Sequence, residues 1–272
     1  MESGIVFMNS PNLFSMRGKV VLITGASGYL GAAMSRCLAE AGAHVLLNGR
    51  NREKIDYLVE QLKKDGLSAE SAIFDITAVA EISAFFSHRV NAPLDVLINN
   101  AYSGKSGSVE ICDSQDYRDS YNVSVVAAHN LFQTLLPSFR VAKRLNGDAS
   151  IINIASMYGM VSPDLRIYSS KLKSNPPFYG AAKAALIQWT KYTACEFGGE
   201  GIRVNALSPG AFPSDAVKLS ESELVAQIEK KIPLARVGLP AELQGPVLFL
   251  ASSASSYMTG ENLVVDGGWT AW

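Results

Sequence analysis

The stretch that most restricts what this chain can fold into runs from Lys19 to Asn48. It opens with Lys19-Val-Val-Leu-Ile-Thr24, a continuous apolar run of strand length, and ends in the turn Gly25-Ala-Ser-Gly28-Tyr-Leu-Gly31. Ala32 to Ala41 reads as a helix, Gly42 stops it, and Ala43-His-Val-Leu-Leu-Asn48 reads as a second strand. Glycines in such a turn let the backbone approach a ligand closely, and the helix that follows offers unpaired N–H groups to an anion. Strand, glycine turn, helix, strand is therefore the pattern of a dinucleotide site, with the pyrophosphate on the helix N-terminus. Gly25, Ser27, Gly28, Tyr29, Leu30 and Gly31 are its candidate contacts.

The alternation continues along the chain. Ile55 to Lys64 carries Ile55, Leu58, Val59 and Leu62 on one stripe. Further strands are expected at Ser71–Asp75, Leu94–Asn99, Ala149–Ala155, Arg203–Leu207 and Asn262–Asp266. Further helices are expected at Val79–Val90, in a long region carrying Tyr121, Val125, Leu131 and Leu135, from Tyr179 to about Phe197, and at Glu221–Lys231 and Glu242–Ala251. Seven strands with helices between most of them imply an α/β protein with a doubly wound, mostly parallel sheet and helices on both faces. The 272 residues suit one large domain, and no linker or repeat interrupts it. Residues 1–17 read as a lead-in, since Asn9, Ser10, Pro11 and Asn12 break any periodic pattern, and 18–272 as a single dinucleotide-binding and catalytic domain.

Composition narrows the partners. A net charge of -1 gives no reason to expect nucleic acid or an anionic membrane. Cys37, Cys112 and Cys195 are scattered without a Cys-x-x-Cys, and His44, His88 and His129 do not cluster with them. That argues against a disulfide framework and a metal site, and for a reducing compartment. No apolar run reaches the length of a membrane span. The N-terminus carries Glu2 and no Lys or Arg before Arg17, unlike a signal peptide. A cytoplasmic enzyme is expected.

Chemistry enters with Tyr179-Gly-Ala-Ala-Lys183. On a helix, residues four apart share one face. A free tyrosine titrates near pH ~10, and a neighbouring ammonium stabilises its phenolate and lowers that value. Such a pair can exchange a proton with a carbonyl or alcohol oxygen. Tyr168 is the other candidate, but its nearest lysine, Lys171, is three residues on, and Pro176 and Pro177 would break a helix there.

Several marks now stand in order: Thr24-Gly25 with the glycine turn, Asp75, Asn99-Asn100-Ala101, Asn122, Ser156, Tyr179 with Lys183, Asn205 with Pro209-Gly210, and Val265-Asp266-Gly267-Gly268. From about Leu13 to Gly268 the chain resembles the compact branch of the short-chain dehydrogenase/reductase family. The resemblance implies a Rossmann-type fold and an NAD(P)-dependent oxidoreductase. Such an enzyme moves a hydride between a nicotinamide cofactor and a carbonyl or alcohol substrate, and assembles as a homodimer or homotetramer. By the same resemblance Tyr179 exchanges the proton, Lys183 depresses its pKa and holds the nicotinamide ribose, Ser156 hydrogen-bonds the substrate oxygen, and Asn122 holds a water in a relay to Lys183. Asp75 and Ile76 would meet the adenine, Asn100 and Ala101 the cofactor edge, and Pro209, Gly210, Phe212 and Ser214 the carboxamide region.

The chain departs from the family pattern in three places. Tyr29 stands where compact members carry the middle glycine, a spacing similar to that of nucleotide-sugar epimerases. That reading would need a further substrate domain after Asp266, where six residues remain. Tyr102 follows Asn99-Asn100-Ala101 in place of the usual glycine, which shifts the cofactor edge of the pocket. The separation of Ser156 from Tyr179 is longer than usual. A sensor or scaffold without catalysis is a further alternative, and such a protein should have lost the Ser, Tyr or Lys position.

Two specificity expectations follow. The second strand ends Asn48-Gly49-Arg50-Asn51, without the acid that bonds both ribose hydroxyls in NAD-preferring enzymes, and the planar fork of Arg50 suits a phosphate. The expected cofactor is NADP(H), with NAD as the alternative. The segment 162–178 lies between Ser156 and Tyr179, is rich in proline and serine, and sets Arg166, Lys171 and Lys173 against Asp164. It is expected to form a loop that lines the substrate entrance and favours a sugar or sugar derivative, an anionic one above all. The competing expectation is a solvated excursion with its charges facing water.

Overall fold

The computed structural model describes residues 13–89 and 91–272. Its centre is one sheet of seven strands: β1 (Val20–Ile23), β2 (His44–Gly49), β3 (Ala69–Ile73), β4 (Val96–Asn99), β5 (Ala149–Ile154), β6 (Ile202–Pro209) and β7 (Asn262–Val265). They lie in the order β3-β2-β1-β4-β5-β6-β7, and every pairing is parallel. The helices are α1 (Tyr29–Glu40), α2 (Arg52–Lys64), α3 (Val79–Phe86), α4 (Ser114–Tyr121), α5 (Ala127–Asn146), α6 (Pro177–Phe197), α7 (Asp215–Ser220), α8 (Ser222–Glu229) and α9 (Gln244–Ala251).

Alternation along each strand explains why the strand sequences are apolar throughout. Val21 and Ile23 pack into a core with Met34, Leu38, Val59, Leu62 and Leu250, while Leu22 between them packs with Phe74, Ile82, Leu131 and Phe139 on the other face. Each such side chain contributes ~1.5–3 kcal/mol on full burial. The chain runs from β1 to β2 and β3 on one side, then returns to β4 on the other. That reversal leaves a crevice outside the C-terminal ends of β1 and β4, the place where sheets of this kind take ligands.

The structure revises four local expectations. Met16, placed in the lead-in, is fully buried in the core, and its N–H donates to Ala41 O at 2.9 Å; residues 1–12 and Val90 lie outside the described residues. Tyr121 does not share the buried stripe of Val125, Leu131 and Leu135; it is exposed. The cause is a π-helical turn at Asn122–Val126 between α4 and α5, which inserts a residue and rotates the faces before and after it. The helix expected at 221–231 is preceded by α7, which Ser214 caps through Val217 N–H. The helix α9 starts at Gln244 because Pro240–Leu243 form a 3₁₀ turn. Among the described residues no helix is long and apolar enough to cross a membrane.

Candidate active site

A groove of about 730 Å³ opens at the C-terminal ends of β1, β2 and β4. Its walls include the turn residues Gly25, Ser27, Gly28, Tyr29, Leu30 and Gly31, with Arg50, Asp75, Ile76, Asn100, Ala101, Asn122, Phe212 and Ser214. Gly25 has φ +62, and a Cβ there would stand 2.9 Å from Ala101 Cα, so this turn tolerates only glycine. A Cβ on Gly31 would come within 2.3 Å of Gly25 O, which is how α1 starts so close behind the strand. No side chain caps α1, leaving its first-turn N–H groups to an anionic ligand.

Asn100, one of the groove walls, also braces the turn from within. The Asn100 side-chain amide donates to Thr24 O at 2.9 Å and Gly25 O at 3.1 Å, and Thr24 Oγ1 accepts from Asn100 N and Ala101 N. Asn100 therefore fixes the glycine turn. Pro209 and Gly210 are not among the groove walls; Gly210 N–H bonds Val265 O at 2.9 Å and clamps the ends of β6 and β7.

The far end of the groove is cationic. Arg50, Asn51 and Lys54 line it opposite Asp75 and Thr77. Asn51 caps α2 by accepting from Lys54 N–H, which sets Lys54 on the first turn of that helix. Arg50 is 72% exposed and lies 3.7 Å from Asp75 Oδ2. Burial pushes the Asp75 carboxyl up, but hydrogen bonds from the Thr77 N–H and hydroxyl and the Arg50 charge outweigh it and hold the group below its ordinary value. Asn51 and Lys54 were missed in the sequence, although an Asn cap with a lysine three residues on was the available signal.

At the end of β5 the structure brings Ser156, Tyr179 and Lys183 together. Ser156 is buried and accepts from Tyr158 N–H at 3.1 Å. Pro177 occupies the first turn of α6, where its missing N–H costs nothing, so the helix starts just before Tyr179. Lys183 is 4% exposed and donates to Ile154 O at 2.6 Å. Its ammonium nitrogen lies 5.7 Å from the Tyr179 ring centroid and 5.4 Å from that of Tyr102. Burial drives the Lys183 pKa down to about 8. Burial also pushes the Tyr179 phenol up, with the Ser156 hydroxyl pulling the other way. On balance the phenol therefore stands above its ordinary value, because desolvation outweighs the hydrogen bond with Ser156. Asn122 opens the π turn on the groove wall, and its C=O accepts from Ala127 N–H. No hydrogen bond joins it to Lys183 among the described residues. Tyr168 lies elsewhere, with its hydroxyl 3.4 Å from that of Tyr158 and Lys171 turned to Glu110.

The segment before α6 is not free, and each of its cations is paired with a carboxylate. Its 3₁₀ turns Leu165–Ile167 and Lys171–Lys173 are stitched to both neighbouring walls. Ser174 Oγ donates to Gly107 O at 2.7 Å, and Gly107 N–H to Ser174 O at 3.0 Å. Ile167 and Tyr168 pack with Val225 and Ile228 of α8 and with Trp269. Lys171 pairs with Glu110, Lys173 with Glu221, and Asp164 with both Arg166 and Lys231. The expected excess of positive charge is cancelled by Glu110 and Glu221 from across the gap. The loop lines a second hollow of about 450 Å³ with Tyr158, Met160 and Val161.

Known proteins resemble this chain in sequence and in fold. A family profile described as enoyl-(acyl carrier protein) reductase, adh_short_C2, matches residues 25–270. The chain belongs to the short-chain dehydrogenase/reductase family. Gluconate 5-dehydrogenase of Gluconobacter oxydans is 34% identical over 270 residues, covering 97% of this chain and 99% of the relative. The 5-keto-D-gluconate 5-reductase of Escherichia coli is 31% identical over 261 residues, covering 94% and 97%. A crystal structure of gluconate 5-dehydrogenase from Burkholderia cenocepacia in complex with NADP and tartrate superposes with a TM-score of 0.85 at 29% identity, covering 97% and 100%. As a short-chain dehydrogenase/reductase the chain is an NAD(P)-dependent oxidoreductase, and its groove fits the cofactor. The turn admits no Cβ at Gly25, α1 leaves its amides uncapped, and Asp75 and the cations lie at the opposite end.

Proposed function

We propose that the protein interconverts a keto sugar acid and its hydroxy acid with NADP(H), in the manner of 5-ketogluconate and gluconate. The observation that carries the reading is the convergence of Ser156, Tyr179 and Lys183 beside a groove of dinucleotide size. The substrate class draws on the two gluconate-linked relatives, each matched over nearly its whole length.

When bound, the nicotinamide supplies or accepts the hydride. The protein's part is to hold the substrate oxygen and move its proton. Tyr179 gives its phenolic proton to the oxygen in reduction and takes it back in oxidation. Ser156 donates a hydrogen bond to the same oxygen as negative charge builds on it. Lys183, charged at neutral pH with a pKa of about 8, stabilises the phenolate left on Tyr179. Gly25, Ser27, Gly28, Tyr29, Leu30 and Gly31 would seat the pyrophosphate, Asp75 and Ile76 the adenine, and Ala101, Phe212 and Ser214 the nicotinamide side. Arg50, assisted by Lys54, would hold the 2′-phosphate that distinguishes NADP from NAD. Asn122 keeps its proposed place in the relay from the π turn on the groove wall.

Assembly into a homodimer or homotetramer is part of the reading. It draws on the exposed Tyr117 and Tyr121, which border a hollow of about 600 Å³ between α4 and α6. Light scattering on the purified protein checks it; a monomer at micromolar concentration rejects it.

The test of the activity is NADPH consumption across a panel of 5-ketogluconate, 2-ketogluconate, neutral ketoses and a 3-oxoacyl thioester. The reading expects 5-ketogluconate or another keto sugar acid to give the highest kcat/KM. A preference for the thioester would reject it.

A further inference from the structure

The residue that departs most consequentially from the family pattern is Tyr102, in the connection that follows β4. Its ring meets that of Tyr179 edge to face, with centroids 4.8 Å apart and planes at 73°. That is the favoured geometry for an aromatic pair. The Lys183 ammonium lies 5.4 Å from the Tyr102 ring centroid, inside the ~6 Å reach of a cation–π contact. Lys183 is therefore shared between two rings, while it donates a hydrogen bond to Ile154 O.

The ring is itself anchored. Its hydroxyl lies 3.4 Å from Ser120 Oγ in α4, and Ser120 Oγ donates to the carbonyl of Phe178 at 3.3 Å. Phe178 immediately precedes Tyr179, so one chain of contacts ties Tyr102, α4 and the start of α6. The backbone yields to the ring as well. A Cβ on Gly104 would stand 2.5 Å from the Tyr102 hydroxyl oxygen, so a glycine lets the chain pass over it. A glycine at position 102 could make none of these contacts.

We propose that Tyr102 is a positioning residue, whose ring braces the Tyr179 phenol and shares the Lys183 ammonium, holding the proton-transfer pair in place before substrate arrives. The proposal rests on the reading of Tyr179 as the proton-exchanging group. The groups that face this pair are Ser156 and Tyr158 from the end of β5, Lys183 from α6 and Tyr102 itself. Tyr158 is held neutral by burial and by Tyr168, so it adds no charge near neutral pH. Removing the Tyr102 ring admits water to both partners. The Tyr179 phenol then loses part of the desolvation that raises it, and its ionisation moves to lower pH.

The test uses Tyr102→Gly, Tyr102→Leu and Tyr102→Phe in the full chain, with folding checked by thermal melting. Ionisation of Tyr179 is followed in the cofactor-free protein through its ¹³Cζ resonance, assigned by its loss in Tyr179→Phe. Turnover is measured with the best substrate of the panel, and NADPH affinity by fluorescence. The Gly and Leu variants should titrate Tyr179 at lower pH than the wild type. They should lose about tenfold or more in kcat, the scale of a small misplacement of a reacting group, with NADPH affinity kept. The Phe variant, which keeps the ring, should recover most of the kcat. An unmoved Tyr179 titration with wild-type kcat in the Leu variant overturns the proposal, as does a loss confined to NADPH affinity, which would make Tyr102 a wall of the groove. If the wild type reduces no member of the panel, the proposed function fails, and the Tyr179 titration alone still decides the role of Tyr102.

Discussion

Replacing Arg50 and Lys54 by alanine should turn an NADPH-preferring protein into one that binds the two reduced cofactors about equally. The magnitude follows from exposure and geometry. Two unit charges ~4 Å apart are worth ~1 kcal/mol in bulk water and ~4 kcal/mol at an effective dielectric of ~20. Arg50 is 72% exposed, so its contact to a phosphate belongs near the lower figure. Binding also draws Arg50 from Asp75, but an exposed pair at 3.7 Å is worth little, ~0–1 kcal/mol. Removing Arg50 should therefore cost NADPH about 1 kcal/mol, roughly fivefold in Kd. Lys54 lines the same end of the groove and has no ion pair among the described residues, so it has no partner to give up. The double variant should lose about 2 kcal/mol, roughly thirtyfold. NADH, lacking the phosphate, should bind with unchanged affinity, and the gap between the two should narrow at high salt. Fluorescence titration of the cofactor-free protein measures all four constants without a substrate. Equal losses for NADH and NADPH, or no loss in the double variant, would refute the assignment of these cations to the 2′-phosphate.

Two further outcomes follow from charge and burial. Lys183→Met should raise stability at pH 7, on the order of 3 kcal/mol, because the folded protein holds a desolvated ammonium whose pKa falls from 10.5 to about 8. In the wild type that penalty is complete below about pH 8, and stability rises between about pH 8 and 10.5 as the buried amine discharges before the unfolded one; the variant should lack this rise, and chemical denaturation across that range decides it. Replacing Arg166, Lys171 and Lys173 together by alanine should leave the KM ratio between a keto sugar acid and a neutral ketose unchanged, since Asp164, Glu110 and Glu221 already satisfy these cations; a selective rise for the acid would give the loop the electrostatic role this geometry denies it.

The sheet and the chemistry were legible in the sequence for different reasons. Strands such as Val20–Ile23 and Val96–Asn99 are buried on both faces, and nothing but an unbroken apolar run serves there. Tyr179 and Lys183 were legible because one helical turn fixes their relation, and Pro177 fixes where the helix starts. The π turn at Asn122 was not legible, since it alters hydrogen-bond register without a glycine or proline to mark it. The true charge of the loop was also hidden. Its cations are neutralised by Glu110 and Glu221, residues distant in sequence whose approach depends on the tertiary fold. The titration of the central pair eluded the sequence for the same reason: adjacency of Tyr and Lys is local, but the desolvation that governs both comes from the surrounding elements. That Asn100, which lines the groove, also braces the glycine turn was hidden because its partners, Thr24 O and Gly25 O, lie far from it in sequence.

The central claim is that Tyr179 exchanges the proton in an NADP(H)-linked carbonyl reduction, and one measurement addresses it directly. It is the rate of 5-ketogluconate-dependent NADPH consumption by wild type and by Tyr179→Phe, with NADPH affinity determined on the same samples. The account predicts turnover by the wild type and a loss on the order of a hundredfold or more in the variant, with NADPH bound equally well by both. A Phe variant that turns over at the wild-type rate would contradict it, and would place the proton donor at another group of the site.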